Sequence, residues 1–296
     1  MILLADSGST KTDWTLMTRQ GKVVASYKTQ GINPFHFSDE DILAILGSEL
    51  SLAAAPTKVY FYGSGVTEAM KPRMVRLLTQ AFVGAEAHAE SDLLGAARAL
   101  FGFQSGIACI LGTGANSGYY DGEQITLNIP PLGYILGDEG SGAVLGKLFL
   151  NAIFKDRLLP SIKEKYLRWV GMDYAAIINK VYRQPLANRF LASIAPFISE
   201  MIEEGSKDDA AEEAKCEAKA LRRLVEENFE LFYQYNIIPY LHQHDDASCQ
   251  LQVGFVGSIA RHFEQSLRIV FEDRHHLMVA PVIQAPMAGL IRYHAQ

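Results

Sequence analysis

The chain has 296 residues, 49% of them hydrophobic, and a formal net charge of -6. That length supports two domains of ordinary size with ample core, and the acidic balance, without a dense Lys/Arg run, argues against nucleic acid or an anionic membrane as a general partner. Cys109, Cys216 and Cys249 are odd in number and far apart, so they suggest neither a disulfide framework nor a CxxC metal or redox site and read as inert thiols of a reducing compartment.

Met1 leads directly into a strand pattern with no basic segment before it, and no apolar run approaches membrane-spanning length, so a cytoplasmic setting is expected. An apolar run over residues 2–5 stops at Asp6, passes through Ser7-Gly8-Ser9-Thr10-Lys11-Thr12 and resumes as an alternating strand through Trp14 and Leu16. This is the pattern of a β-hairpin whose turn carries an acid, small residues and hydroxyls. Such a turn either brings N–H groups and hydroxyls to a phosphate and a carboxylate to a metal ion, or is an ordinary surface hairpin. Residues 23–29 read as a third antiparallel strand. Ser38 followed by Asp39, Glu40 and Asp41 predicts a capped helix start, with Ile42, Leu43, Ile45, Leu46 and Leu50 at helical spacing. Residues 58–62 read as a short strand that halts at Gly63-Ser64-Gly65, residues 68–82 as a helix and residues 85–89 as another strand. An apolar helix over residues 93–101 follows, ended by Gly102. Asp92 lies where that strand hands over to the helix, a place where aspartate commonly caps free N–H groups.

Residues 106–111, the small-residue turn from Gly112 to Gly118 and the strands that follow repeat the N-terminal hairpin when Gly8 is laid over Gly114. Two such hairpins, one per domain, suit a grip on a polyphosphate. A Rossmann fingerprint does not fit Gly112-x-Gly114, because a hairpin rather than a helix follows, and Gly146-Lys147-Leu148 does not make a P-loop. Gly137-Asp138-Glu139-Gly140-Ser141-Gly142 then sets two acids between glycines at a helix start, suited to cation-bearing phosphate or hydroxyl groups. Residues 151–243 read as mostly helical, divided by Pro160, Gly171, Pro185 and Pro196. Within them residues 207–235 form one long amphipathic helix with Ala211, Ala214, Ala218, Leu221, Val225 and Phe232 inward. Its Glu212, Glu213, Lys215, Glu217 and Lys219 lie on a solvated face. Residues 251–256 return to strand and turn at Gly257-Ser258 into a helix over 259–271; a strand over 277–282 and a last helix close the chain. His242, His244, His275 and His276 lack metal-ligand spacing and read as surface histidines.

In this order and spacing ADSGSTKTDW, Ser91-Asp92 before an Ala-rich helix, LGTGANSG, LGDEGSG and VGFVGSIA resemble the actin/hexokinase-like ATPase superfamily. Within it the set looks like the N-acetylglucosamine kinase family, also grouped with the BadF/BadG-type ATPases. The resemblance runs from Leu4 to about Leu290 and is least distinctive over residues 151–243. It implies an α/β chain of two ribonuclease-H-like domains, residues 1–105 and 106–296, with ATP in the cleft between them, a helical insertion in the second and the last helix packing back on the first. It implies that Asp6 and Asp138 hold Mg²⁺, and that Ser9, Thr10 and Lys11 together with Gly112, Thr113 and Gly114 cradle the phosphates. By the same resemblance Gly257 and Ser258 meet the adenosine, and Asn33, Ser64 and Asn116 hydrogen-bond the sugar, with Gly133, Asp138 and Glu139 closing its pocket. Asp92 becomes the general base. The expected activity is ATP-dependent phosphorylation of the 6-hydroxyl of N-acetylglucosamine or a related amino sugar; the superfamily often forms dimers, and the sequence leaves open whether this chain is a homodimer. Two alternatives are an ATPase that activates a radical dehydratase through an iron–sulfur cluster, for which the scattered cysteines are poor ligands, and a non-catalytic nucleotide-binding regulator, which has no use for Asp92. Ser7 departs from the family pattern, standing where a second glycine is common, and APMAGLIRY is a looser match than the other segments.

Overall fold

The computed structural model describes residues 1–8, 10–243 and 251–295. The N-terminal hairpin forms as its alternation dictates. β1 (Ile2–Ser7) and β2 (Lys11–Met17) pair antiparallel, with Ala5 opposite Trp14 and Asp6 opposite Asp13, and β3 (Val23–Gln30) extends the meander. Leu3, Ala5, Trp14 and Leu16 are buried on its inner face, and Trp14 satisfies its indole N–H on Thr29 Oγ1 at 3.0 Å. α1 (Asp39–Ser48) starts on a reciprocal capping box between Ser38 and Asp41. β4 (Lys58–Gly63) then pairs parallel with β1. α2 (Lys71–Ala81) begins at Lys71 rather than at residue 68, because Met70 N–H closes a turn onto Thr67 O at 2.8 Å and Pro72 then fits a first helical turn. β5 (Glu86–Ser91) pairs parallel with β4 and leads straight into α3 (Asp92–Phe101). The resulting sheet has the order β3-β2-β1-β4-β5.

The second sheet repeats that plan. β6 (Gly106–Leu111), β7 (Ala115–Tyr120) and β8 (Ile125–Ile129) form the meander, and α4 (Gly133–Leu136) and α5 (Gly142–Phe154) follow. Ser141 caps α5, accepting from Val144 N–H at 3.1 Å. The helical region comprises α6 (Pro160–Val170), α7 (Tyr174–Tyr182), α8 (Ala187–Ala192), α9 (Ala195–Glu204), α10 (Glu212–Phe232), a π-helical turn (Tyr233–Ile237) and α11 (Ile238–Gln243). β9 (Gln252–Val256) is followed by α12 (Ser258–His262), α13 (Glu264–Arg268), a second π-helical turn (Ile269–Arg274) and β10 (Met278–Ile283), which pairs parallel with β9. Its order, β10-β9-β6-β7-β8, places the equivalent strands as in the first sheet.

Two expectations for the helical region need correction. The helix predicted over residues 207–235 is shorter, and Ala211 is exposed at its start rather than inward. Glu217, assigned to the solvated face by its charge, is 1% exposed and pairs with Lys165 Nζ of α6 at 2.6 Å. Alternating charge reports sign but not which helix covers it. The single helix expected over residues 259–271 also breaks at Phe263 between α12 and α13.

The chain divides into two compact units, Met1–Ala108 with Tyr119–Thr126 and Ala285–Gln296, and Cys109–Gly118 with Leu127–Gln284. The first unit therefore includes the last helix, α14 (Met287–His294). α14 crosses α3 closely, and a Cβ on Gly289 would overlap the Ala99 carbonyl oxygen. A polar chain locks the crossing: Arg98 Nη1 donates to Tyr62 Oη at 2.9 Å, and Tyr62 donates its proton to His294 Nε2 at 2.8 Å. Burial, with Arg98 and His88 nearby, pushes the His294 pKa down to about 4, which keeps the ring neutral and able to accept. Gly289→Ala should cost about 1–3 kcal/mol, because the clash is with backbone that cannot rotate away; urea melts of variant and parent measure it, and an equal midpoint would show that the crossing relaxes without cost.

Among the described residues no helix is long and apolar enough to cross a membrane. Cys109 is buried and Cys216 exposed, both as free thiols, while Cys249 and His244 lie outside the described residues. His275 stacks on Tyr233 at 3.5 Å and meets Glu230 Oε1 at 2.8 Å.

Candidate active site

Because β1, β4 and β5 run parallel, their carboxyl ends lie side by side, with Ser7 opposite Gly63 and Gly63 opposite Ser91. Ligands bind outside such strand ends in α/β sheets. Asp6, Ser64 and Asp92 sit at these ends. Loss of solvent, then the charges of Asp92 and Asp13, push the Asp6 carboxyl up to about 7 against the opposing pull of Lys11. Desolvation pushes Asp92 up to about 6, offset by the Leu93 N–H that its Oδ1 accepts at 2.9 Å. Asp92 is not the helix cap. Ser91 fills that role, its Oγ accepting from Leu94 N–H at 3.1 Å, which leaves Asp92 at the first helical position.

Asp13 belongs to this cluster and was not foreseen. It faces Asp6 across the hairpin and pairs with Lys11 Nζ at 2.5 Å. In the sequence it is one more polar strand residue, and only the pairing register brings it to Asp6. Ser7 turns away from the β1–β2 turn: it is fully buried, its Oγ accepting from Ile32 N–H at 3.0 Å and meeting Thr12 Oγ1 at 2.7 Å. It ties the loop carrying Asn33 to β1. Ser64 N–H donates to Ser7 O at 2.9 Å. Asn33 Oδ1 accepts from Phe35 N–H at 2.9 Å, and its carboxamide packs over Gly65. Asn33 and Ser64 thus stand at the same strand ends as the two carboxylates. Thr10 and Lys11 are exposed at the turn, and Ser9 lies outside the described residues.

In the second unit the first turn of α5 is bonded onto the β6–β7 turn, Gly142 N–H to Gly112 O at 2.8 Å and Ala143 N–H to Thr113 O at 3.1 Å. Asp138 stands beside that turn in a left-handed conformation, φ 57°. Its Oδ1 accepts from Ala115 N–H at 3.3 Å, and a Cβ on Gly114 would come within 3.1 Å of its Oδ2. Desolvation raises the Asp138 carboxyl, with Glu139 adding to the rise. Gly112, Thr113, Gly114 and Asp138 are therefore one cluster. Gly257, at φ 129°, presses its α-carbon on the Leu111 carbonyl, where a Cβ would overlap it, so the loop after β9 lies against the end of β6.

A cavity of about 270 Å³ opens beside these residues, lined by Gly112, Thr113, Ser258 and His262 and, from a segment without a recognisable motif, by Arg189 and Ser193. These last two are brought in by tertiary packing. The remaining predicted sugar contacts lie in the second unit. Asn116 Oδ1 accepts from Ser117 N–H and from Asn128 Nδ2, both at 2.9 Å. Glu139 Oε2 accepts from Asn236 Nδ2 at 3.4 Å. Gly133 is exposed at the start of α4. Among the described residues no group of three or more His, Cys, Asp or Glu side chains is arranged to hold a metal ion. Mg²⁺ asks less than that, since one or two carboxylates with waters and phosphate oxygens suffice.

No protein-family model and no curated protein sequence matches the chain. Among solved structures, a protein from Porphyromonas gingivalis named "putative N-acetylglucosamine kinase" is 41% identical, with 100% of this chain and 99% of that one aligned at a TM-score of 0.88. A protein of the same name from Chromobacterium violaceum is 21% identical, with 99% and 98% aligned at a TM-score of 0.66. The ROK family glucokinase of Streptomyces griseus, in complex with glucose and AMPPNP, is 14% identical and shares the fold, with 99% and 97% aligned at a TM-score of 0.54. With its doubled five-stranded sheet and this likeness along its whole length, the chain belongs to the N-acetylglucosamine kinase and BadF/BadG-type ATPase family of the actin/hexokinase-like ATPase superfamily.

Proposed function

We propose that the protein is an ATP-dependent sugar kinase that phosphorylates the 6-hydroxyl of N-acetylglucosamine or a related amino sugar. The observation that carries this reading is the convergence of Asp6, Asn33, Ser64 and Asp92 at the carboxyl ends of β1, β4 and β5, with Asp6 and Asp92 close enough to repel. The name of the Porphyromonas gingivalis relative and the glucose and AMPPNP held by the Streptomyces griseus glucokinase support a pairing of sugar with nucleotide. Phosphoryl transfer asks little covalent chemistry of a protein, so positioning and charge neutralisation dominate. Asp92, with its carboxyl near 6, is ionised at neutral pH yet basic enough to take the proton of the sugar hydroxyl late in the transfer. Asp6 and Asp138 are the carboxylates for Mg²⁺, and the surplus negative charge around Asp6 fits a divalent cation. Bound there, Mg²⁺ would neutralise charge on the transferring phosphate.

Ser9, Thr10 and Lys11 of one turn and Gly112, Thr113 and Gly114 of the other receive the phosphates, and Gly257 and Ser258 the adenosine. Asn33 and Ser64 orient the sugar, with Asn116, Gly133, Asp138 and Glu139 completing its selection. The protein works in the cytoplasm as a homodimer. Incubation with ATP, Mg²⁺ and a panel of N-acetylglucosamine, glucosamine, N-acetylmuramic acid and glucose is the test, with the phosphorylated position read by NMR. The expected product is the 6-phosphate of an amino sugar. Absence of sugar-dependent ADP release, or a preference for glucose, would count against the proposal.

A further inference from the structure

We infer that Arg73 of α2 is a positioning residue for sugar binding: its guanidinium sets the loop over residues 31–37 that carries Asn33, and so fixes where Asn33 meets the substrate. The inference rests on the kinase reading above and on the role proposed there for Asn33. The loop joins β3 to α1. Ile32 and Pro34 are buried, but Phe35 and His36 at the tip are exposed, so polar bonds rather than burial hold that half in shape. Its near end is tied to β1, Ile32 N–H donating to Ser7 Oγ and Ile32 O accepting from it, both at 3.0 Å. The middle closes on itself. Asn33 O accepts from His36 N–H at 3.0 Å and from Phe37 N–H at 3.2 Å, while Asn33 Oδ1 accepts from Phe35 N–H at 2.9 Å. Asn33 is thus oriented by the turn it makes, and Gly65, where a Cβ would overlap its Oδ1, confines the carboxamide further.

The far end of the loop has no such internal bond, and there Arg73 takes over. Pro34 O accepts from its Nη1, and Phe37 O accepts from its Nη2 at 2.8 Å. Nε of the same group donates to Asp39 Oδ1 at 2.6 Å, and Asp39 Oδ2 accepts from Arg76 Nη2 at 2.5 Å, so the guanidinium is itself held in plane. Serving two carbonyls and a carboxylate at once needs the rigid fork of arginine, because the compact ammonium of lysine cannot span them. The Arg73 side chain is 26% exposed, so water competes little for these bonds. Neither helix needs this arrangement to form. α1 has its own capping box from Ser38 and Asp41, and the two helices bury Ile42, Ile45, Leu46, Met74, Leu77 and Leu78 in the core of the first unit. The fork therefore acts on the loop more than on the fold.

Arg73→Lys and Arg73→Ala in the full chain are the test. Lysine keeps the charge beside Asp39 but not the fork, and alanine removes both. Each is expected to raise the KM for N-acetylglucosamine about tenfold or more while kcat changes less than about threefold, the pattern of lost substrate binding. AMPPNP binding without sugar, read by calorimetry, should stay at the parent value. Amide hydrogen exchange of the ligand-free proteins gives a readout independent of turnover. The amides of Phe35, His36 and Phe37 should exchange faster in both variants, with α1 and α2 protected as in the parent. A parent-like KM in Arg73→Lys would show that charge alone suffices and overturns the inference. Exchange that quickens through α1 and α2 as much as in the loop overturns it too, since Arg73 would then support the fold at large. Should the alanine variant not fold, the lysine variant decides alone. The two readings fail separately. Sugar turnover by the parent, with parent-like KM in both variants, sinks the inference and leaves the kinase. Without sugar turnover by the parent the kinase reading falls, and exchange in the loop then decides whether Arg73 sets it; parent-like exchange there sinks both.

Discussion

Asp92→Asn is expected to lower kcat by about 10²–10⁴-fold while leaving nucleotide binding unchanged, the loss associated with removing a general base. The substitution isolates the proton-accepting role because the local structure does not depend on the charge. Ser91 caps α3, so the helix start survives. Asparagine also keeps an oxygen able to accept from Leu93 N–H, as Oδ1 does at 2.9 Å. In the parent, kcat/KM should fall as pH drops through about 6, where the Asp92 carboxyl takes up its proton, and the variant should lose that limb. Kinetics across pH, with an AMPPNP titration alongside, read both effects. Unchanged kcat with a raised KM for the sugar would make Asp92 a binding group instead.

Asp6→Asn should do two opposite things, abolishing Mg²⁺-dependent turnover and making the metal-free protein more stable. The Asp6 pKa is raised from 3.8 to about 7 by desolvation and by the flanking Asp92 and Asp13. A raised native value means that the folded chain binds this proton more tightly than the unfolded one. The fold therefore carries a penalty that is absent below the unfolded value, grows as pH rises between the two and is complete above about 7. Asparagine has no charge to desolvate. A gain of up to roughly 4 kcal/mol is expected for the metal-free variant at about pH 8, with almost none at about pH 4. Mg²⁺ with nucleotide should in turn stabilise the parent more than the variant, because binding to the native state alone adds to stability. Thermal melts at both pH values, with and without Mg²⁺ and AMPPNP, supply the comparison. A lowered midpoint at the higher pH would show that the Asp6 charge supports the fold. On the proposed kinase reading, the motif acid at the end of β1 is a site where stability is given up for metal binding.

Much of the architecture was legible because its causes are local. The alternation through Trp14 and Leu16, the Ser38–Asp41 box and the glycine turns at Gly8 and Gly114 act over a few residues. Such short-range preferences survive in the folded chain. The repeat of Gly8 over Gly114 likewise anticipated two sheets of one plan. Errors gathered where a residue's role depends on what covers it. The charge pattern left Glu217 in water because a single helix cannot reveal that Lys165 lies over it. Ser7 reads as one more hydroxyl of the hairpin turn because the sequence does not tell which way a strand-end side chain points, and it points to Ile32 and Thr12.

The sequence alone determined the family and the two hairpins, and it singled out Asp6, Asp92 and Asp138 as candidates, since each lies in a contiguous motif. Only the tertiary structure decided that Asp13 faces Asp6, and that Arg189 and Ser193 share a cavity with Gly112 and Ser258. Those pairings join residues through strand register and helix packing. Their physical basis is the burial of distant apolar surfaces, which leaves no pattern in the residues it brings together.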